Sequence, residues 1–305
     1  MDMYQKRKIR KEKRENSNQN EKFHKVVLNW YPGHMAKTRR EMREKMELID
    51  IIYEVIDARM PYSSRIKDID EIIKDKPRII IVSKYDLCDK TVTDKFLADY
   101  AQKYRVIKTN LKDNSNIAKE IIKVTDELLV DINKKRLAKG LNKRVYRALV
   151  MGVPNVGKST LINRLASRNI TKTGNMAGVT KSLSWIRVNN NIELLDTPGI
   201  LWPRIDDETV GLNLASLTSI KEEILDKEMI AKYIITFLYQ NYPQILKEKY
   251  NIEQMDDVID AFTIIAKRRG ALLKGGLIDY EKVWTIVIND LKNGTIKNVT
   301  FDLYK

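Results

Sequence analysis

Residues 146–160, YRALVMGVPNVGKST, decide how this chain folds. Tyr146 to Val153 form a mainly apolar run of strand character. It passes directly into Gly152-Val-Pro-Asn-Val-Gly157-Lys158-Ser159, a full match to G-x-x-x-x-G-K-[ST]. The stretch KSTLINRLA then has helical spacing. Strand, glycine loop and helix in immediate succession are the unit of a parallel α/β sheet. The loop glycines allow backbone N–H groups to turn inward around phosphate oxygens, and the helix N-terminus adds partial positive charge. Pro154, Asn155, Val156 and Gly157 supply that backbone. Lys158 can reach β- and γ-phosphates, the Ser159 hydroxyl is placed for Mg²⁺, and Thr160 ends the phosphate-contacting stretch. A glycine turn matching by accident would not also need a strand before it and a helix after it.

Such a loop leaves ATPases, small-molecule kinases and GTPases open. Downstream, ELLDTPGI (193–200) narrows the choice. Asp196 ends an apolar strand, where a carboxylate can hold Mg²⁺ through water. Gly199 offers a backbone N–H with room to approach a γ-phosphate. Between the two motifs, GNMAGVTKS (174–182) offers Thr180 as the switch hydroxyl for Mg²⁺, with Thr171, Thr173 and Ser182 as rivals.

Upstream, IIIVSKYDLCD (79–89) ends an apolar strand in Ser83-Lys84-Tyr85-Asp86, one residue from Asn-Lys-x-Asp. The Asp86 carboxylate can accept from the N1–H and N2–H₂ of guanine, donors that adenine lacks, and such a site discriminates strongly. The Lys84 stem can lie along the base plane. Ser83 replaces an asparagine with a shorter hydroxyl. KTNLKDNS (108–115) stands where a second base-contacting loop would fall and offers Asn110, without the usual Ser-Ala-Lys form.

Further strands are expected at IIYEVIDAR (51–59), RVIKTN and LSWIRV, and helices over about 64–75, 91–103 and 116–139. This alternation predicts an α/β fold with a mainly parallel, doubly wound sheet. After residue 205 only helical periodicity remains, over 208–220, 227–240, 255–268 and 279–292. The expected organisation is a basic, disordered arm (1–25), a nucleotide domain (26–205) and a small all-α domain (206–305).

The chain has 305 residues, 43% hydrophobic and 32% charged, with a formal charge of +15. The surplus points to an acidic polymer or surface as partner. It is uneven: residues 1–25 hold nine Lys/Arg against four Asp/Glu, residues 26–203 hold 33 against 21, and residues 204–305 hold 14 against 16. KKRLAKGLNKRVYR (134–147) has seven basic residues and no acidic one, and Lys267, Arg268 and Arg269 form a local patch. Each patch is a candidate for phosphate contacts or a solvated face. The arm lacks the apolar core of a secretory signal, and Glu12, Glu15 and Glu21 interrupt any mitochondrial pattern. With one cysteine, Cys88, no internal disulfide forms, so a reducing compartment is expected. No apolar run approaches the roughly 20 residues of a membrane span.

The motifs occur in the order base-reading loop, second base loop, phosphate loop, switch threonine, DTPG. This is a circular permutation (G4-G5-G1-G2-G3) of the usual GTPase order. Together with WYPGHMAKTRREM, LIDIIYEVIDARMPYSSR, GVPNVGKSTLINRL, LLDTPGILWP and GGLIDY, they resemble the circularly permuted YlqF/RbgA-type ribosome biogenesis GTPases from about Asn29 to the C-terminus. The resemblance implies a cytoplasmic, Mg²⁺-dependent GTPase that promotes late assembly of the large ribosomal subunit. It implies a C-terminal helical RNA-binding domain, hydrolysis stimulated by the ribosomal particle, and a monomer away from it. In related GTPases an asparagine at the place of Asn155 helps coordinate K⁺, so K⁺ is a candidate cofactor and a plain loop asparagine the alternative. Ile200 and Leu201 stand where Ras-like enzymes carry a water-orienting glutamine. His34 in YPGHMAK is the candidate to replace it, with a structural histidine of the Pro-Gly turn as the alternative. The chain departs from the family at Ser83, at Ala177 and in its basic arm. Two other functions fit the phosphate loop: an ATPase or small-molecule kinase in which SKYD is accidental, and a GTP-regulated rRNA-binding scaffold with incidental hydrolysis.

Overall fold

A computed structural model describes residues 33–113, 116–166, 183–188, 192–202, 205–220 and 226–304. Its centre is a six-stranded sheet in the order β3-β2-β1-β4-β6-β5. The strands are β1 (Ile51–Asp57), β2 (Arg78–Ser83), β3 (Arg105–Lys108), β4 (Tyr146–Met151), β5 (Ser184–Arg187) and β6 (Ile192–Asp196). All neighbours are parallel except the edge strand β5, which runs antiparallel to β6.

Every residue of β1 and β2 is buried, as their near-continuous apolar runs require of strands covered on both faces. The two-residue alternation divides β2. Ile79 and Ile81 join the main core, while Ile80 and Val82 face a smaller one with Ile56, Cys88 and Leu97. Glu54, in the middle of β1, is fully buried and paired with Arg65 at 3.2 Å and Arg78 at 3.1 Å.

The helices around the sheet are α1 (Gly33–Lys45), α2 (Asp70–Ile73), α3 (Lys90–Ala101), α4 (Ile117–Ala138) and α5 (Lys158–Leu165). The remaining five are α6 (Glu208–Ser216), α7 (Lys227–Asn241), α8 (Pro243–Tyr250), α9 (Val258–Arg269) and α10 (Tyr280–Lys292). Aspartates begin five of them. Asp89, Asp207, Asp226, Asp257 and Asp279 each accept a hydrogen bond from a first-turn N–H, satisfying donors the helix itself cannot pair.

Two elements differ from the sequence expectation. The helix expected over 64–75 is reduced to Asp70–Ile73. The chain before it is held in turns instead, with Ser64 N–H donating to Met60 O at 3.0 Å and Arg65 N–H to Tyr62 O at 3.3 Å, while Tyr62 N–H and Ser63 N–H donate to Asp302 at 2.7 and 2.8 Å. Helix α8 was expected to be a break. Its Pro243 is the first helical residue, where proline's missing N–H is harmless.

The C-terminal helices pack mainly on one another. Their apolar residues belong to the same core cluster as β1 and β4. A buried polar network reinforces the seam. Asn213 donates to Asp302 at 3.0 Å, Tyr233 donates to Asn213 at 2.7 Å, and Asp302 receives the two loop amides above.

Candidate nucleotide site

The chain runs outward from β1 to β3, then returns to β4 beside β1, so the winding reverses between β1 and β4. In open α/β sheets ligands bind at such a switch point, beyond the carboxyl ends of the strands. The register places the sequence motifs along that one edge. Asp57 pairs with Ser83, Val82 with Lys108, and Val150 with Asp196. The base-reading motif, the second loop, the phosphate loop after β4 and DTPG after β6 therefore converge. They border a cavity of about 420 Å³, within the usual range for small-molecule sites.

Gly157 has φ +103 and precedes α5, so the loop turns through a conformation that glycine alone adopts easily. Lys158 is 7% exposed and donates to the carbonyls of Gly152 at 3.0 Å and Val153 at 2.9 Å. Burial pushes its ammonium down to about 8, against the opposing attraction of Asp196. Asp196 itself is 1% exposed at the end of β6. Gly199 folds back over the loop, and a Cβ there would lie 2.6 Å from Pro154 Cα. Pro154, Asn155, Val156, Ser159, Thr160 and Gly199 all border the cavity. Ile200 and Leu201 are fully buried apolar side chains.

At the base end, Ser83 is fully buried and its Oγ lies 2.6 Å from Val156 O and 2.9 Å from Ile56 O. The hydroxyl thus ties the base-reading motif directly to the phosphate loop. Lys84, at φ +55, donates to Asn155 O at 2.8 Å and to the Asp57 carboxylate at 2.7 Å. Asp86 is exposed and borders the cavity. Tyr85 turns elsewhere, donating from its hydroxyl to Asp94 of α3 at 2.9 Å. Asn110 borders the cavity and closes its own loop, accepting from Lys112 N–H at 3.1 Å and donating to Asp113 at 2.6 Å. The Asn155 amide donates to Thr218 O at 2.6 Å, which joins the phosphate loop to the residues following α6. Gly33 and His34 open α1, but the side chain of His34 lies outside the described residues. So does Thr180.

Sequence reasoning missed Asp57 and Arg59. Asp57 Oδ1 accepts from Arg59 Nε at 3.0 Å, and Oδ2 accepts from Arg59 Nη2 at 2.9 Å. Burial alone would raise the Asp57 carboxyl, but Arg59 and Lys84 hold it well below the usual carboxylate range. The available signal was a carboxylate closing a buried strand, IIYEVID, with an arginine two residues on, since buried charges must be paired.

A mainly parallel α/β sheet, a phosphate loop at its switch point and a base-reading motif on the neighbouring strand define a circularly permuted P-loop GTPase. The family model described as "50S ribosome-binding GTPase" matches residues 147–266. Ribosome biogenesis GTPase A of Bacillus cereus is 44% identical over 279 residues, covering 91% of this chain and 94% of that protein. The protein of the same name from Priestia megaterium is 46% identical over 280 residues, covering 91% and 97%. A GNP-bound crystal structure of YlqF from T. maritima has 27% identity and a TM-score of 0.60, covering 88% of this chain and 98% of that one. The chain belongs to the ribosome biogenesis GTPase A family, and its reaction is the hydrolysis of GTP.

Proposed function

We propose that this protein binds GTP at the sheet's carboxyl edge and hydrolyses it while promoting late assembly of the large ribosomal subunit. The observation that carries this reading is the convergence of base-reading motif, phosphate loop and DTPG on one cavity. Asp86 and Lys84 read guanine, with Asn110 beside them. The backbone of 154–160 and the Lys158 ammonium hold the phosphates, and Gly199 N–H meets the γ-phosphate.

The Ser159 hydroxyl and Asp196 carboxylate are hard oxygen donors suited to Mg²⁺, with Thr180 as the switch hydroxyl. Among the described residues no cluster of three or more His, Cys, Asp and Glu is present. Mg²⁺ is commonly held mainly by nucleotide phosphates with one or two protein oxygens. When bound, Mg²⁺ offsets charge on the β- and γ-oxygens. Asn155, with its amide nitrogen engaged by Thr218, keeps its side-chain oxygen for K⁺.

Ile200 and Leu201 cannot orient water, so intrinsic hydrolysis is slow and His34 supplies the missing group on the ribosomal particle. The basic arm, the exposed Lys134, Lys135, Lys139 and Lys143, and Lys267–Arg269 contact rRNA phosphates. The helices after residue 205 act as the RNA-binding domain, and their contacts with Pro154 and Asn155 couple them to the phosphate loop. The protein works in the cytoplasm as a monomer when off the ribosome. Among the described residues no helix is long and apolar enough to cross a membrane.

The test is nucleotide hydrolysis with and without large-subunit precursors, in K⁺ and in Na⁺, with GTP and ATP. GTP-selective turnover raised by the particle is expected. Equal use of ATP, or no response to the particle, would overturn the reading.

A further inference from the structure

The Asp57–Arg59 pair lies outside the base-reading motif, the phosphate loop and DTPG, yet it joins three parts of the site. Arg59 is fully buried. Its Nε and Nη2 serve the Asp57 carboxylate, and its Nη1 donates to Leu291 O at 2.6 Å. The same carboxylate receives Lys84, which also bonds the phosphate loop at Asn155 O. A planar guanidinium can serve a carboxylate and a carbonyl at once, which an ammonium cannot do with the same geometry.

Leu291 lies in the last turn of α10. The chain then bends through Lys292, Asn293 and Gly294 to Lys297, and these residues border the same cavity as Asp86 and Gly157. The bend is fastened to the base-reading motif at several points. Gly294 has φ +76, and a Cβ there would lie 2.7 Å from Leu87 Cδ1. Val299 N–H donates to Leu87 O at 3.3 Å, and Phe301 N–H donates to Arg59 O at 2.7 Å. Thr300 Oγ1 accepts from Asp89 N–H at 3.1 Å.

We propose that Arg59 is a positioning residue for guanine recognition, and that it makes the bend at 292–297 a working wall of the guanine pocket. Arg59 holds Asp57 against Lys84 while drawing the end of α10 onto the loop that carries Asp86. Capture of a guanine nucleotide and docking of the C-terminal segment then share one linkage, and each strengthens the other. The inference rests on the guanine-reading assignment of Lys84 and Asp86.

Dissociation constants of GDP and ADP for the full chain, wild type against Arg59→Met, Arg59→Lys and Leu87→Ala, test it. A wild type with no preference for GDP would remove the guanine reading and this inference with it. Given that preference, Arg59→Met and Arg59→Lys should each lower it by at least about tenfold, through weaker GDP binding with ADP unchanged. Leu87→Ala removes the packing partner of Gly294 and keeps Arg59, so it stays informative where an Arg59 variant does not fold. It should lower the preference about threefold. An unchanged preference, or equal loss for both nucleotides, would overturn the proposal. Hydrogen exchange of wild-type amides 294–301 should slow more with saturating GDP than with ADP, and equal protection would count against the wall.

Discussion

Replacing Gly199 by alanine probes the site at its tightest point. The position needs space rather than an unusual φ, because its φ lies outside the left-handed region. An added Cβ would stand 2.6 Å from Pro154 Cα and 2.7 Å from Pro154 N, where ordinary contact begins at 3.4 Å. One loop must retreat by about 0.8 Å, the difference between 3.4 and 2.6 Å. The phosphate loop cannot yield easily, since Ser219 Oγ donates to Pro154 O at 2.9 Å and Asn155 is held by Thr218. DTPG therefore moves, carrying with it the N–H assigned to the γ-phosphate. A misplacement near 1 Å can cost about 10²-fold in rate, and overpacking costs about 1–3 kcal/mol of stability. GDP has no γ-phosphate, so its affinity should stay within about threefold. The assay is single-turnover GTP hydrolysis on the ribosomal particle, with GDP titration and thermal melting as controls. A folded Gly199→Ala protein hydrolysing GTP within about threefold of wild type would show that this backbone contact does not govern the reaction.

Other consequences are equally direct. Burial lowers Lys158 to about 8, and phosphate binding requires its ammonium. GDP affinity should therefore fall about tenfold from pH 7 to pH 9, with proton uptake on binding visible by calorimetry in buffers of different ionisation enthalpy. For the nucleotide-free protein the same shift makes Lys158's contribution to stability rise from about pH 8 towards its ordinary 10.5, because the unfolded chain holds that proton more tightly. Ser83→Ala should destabilise the protein by about 1–3 kcal/mol, by leaving buried Val156 O without its hydroxyl. Ser83→Asn should not tighten GDP binding, since the hydroxyl already makes the bridge to the phosphate loop and the site is fully buried. A GDP dissociation constant lowered in Ser83→Asn would contradict this. Asp86→Asn should weaken GDP at least about tenfold and leave ADP unchanged, as competition against a fluorescent nucleotide would show.

Much of the nucleotide domain could be anticipated because its signals are local. The runs IIYEVID and RIIIVS, short and rich in isoleucine and valine, read as strands covered on both faces and are so. GVPNVGKST encodes its own turn, with Gly157 at φ +103, and Asp89 begins α3 by accepting from first-turn N–H groups. One misreading concerns the stretch 64–75. It has helical spacing, yet Ser64 N–H and Arg65 N–H close turns onto Met60 O and Tyr62 O, and the next helical turn starts only from Ile69 O. Tyr85 sits inside the base-reading motif but points to Asp94, because the motif fixes the chain's path and not which face each side chain meets.

The amino-acid sequence alone determined the phosphate loop, the permuted order of the motifs and the family to which they belong. Each of these depends on a few neighbouring residues and on backbone geometry they set themselves. Only the tertiary structure decided that Ser83 reaches Val156, that Asp57 clamps Lys84, and that Arg59 grips Leu291 across 232 residues of chain. Those meetings follow from how the helices close over the carboxyl edge of the sheet. Packing of distant surfaces selects them, and no short stretch of sequence carries that choice.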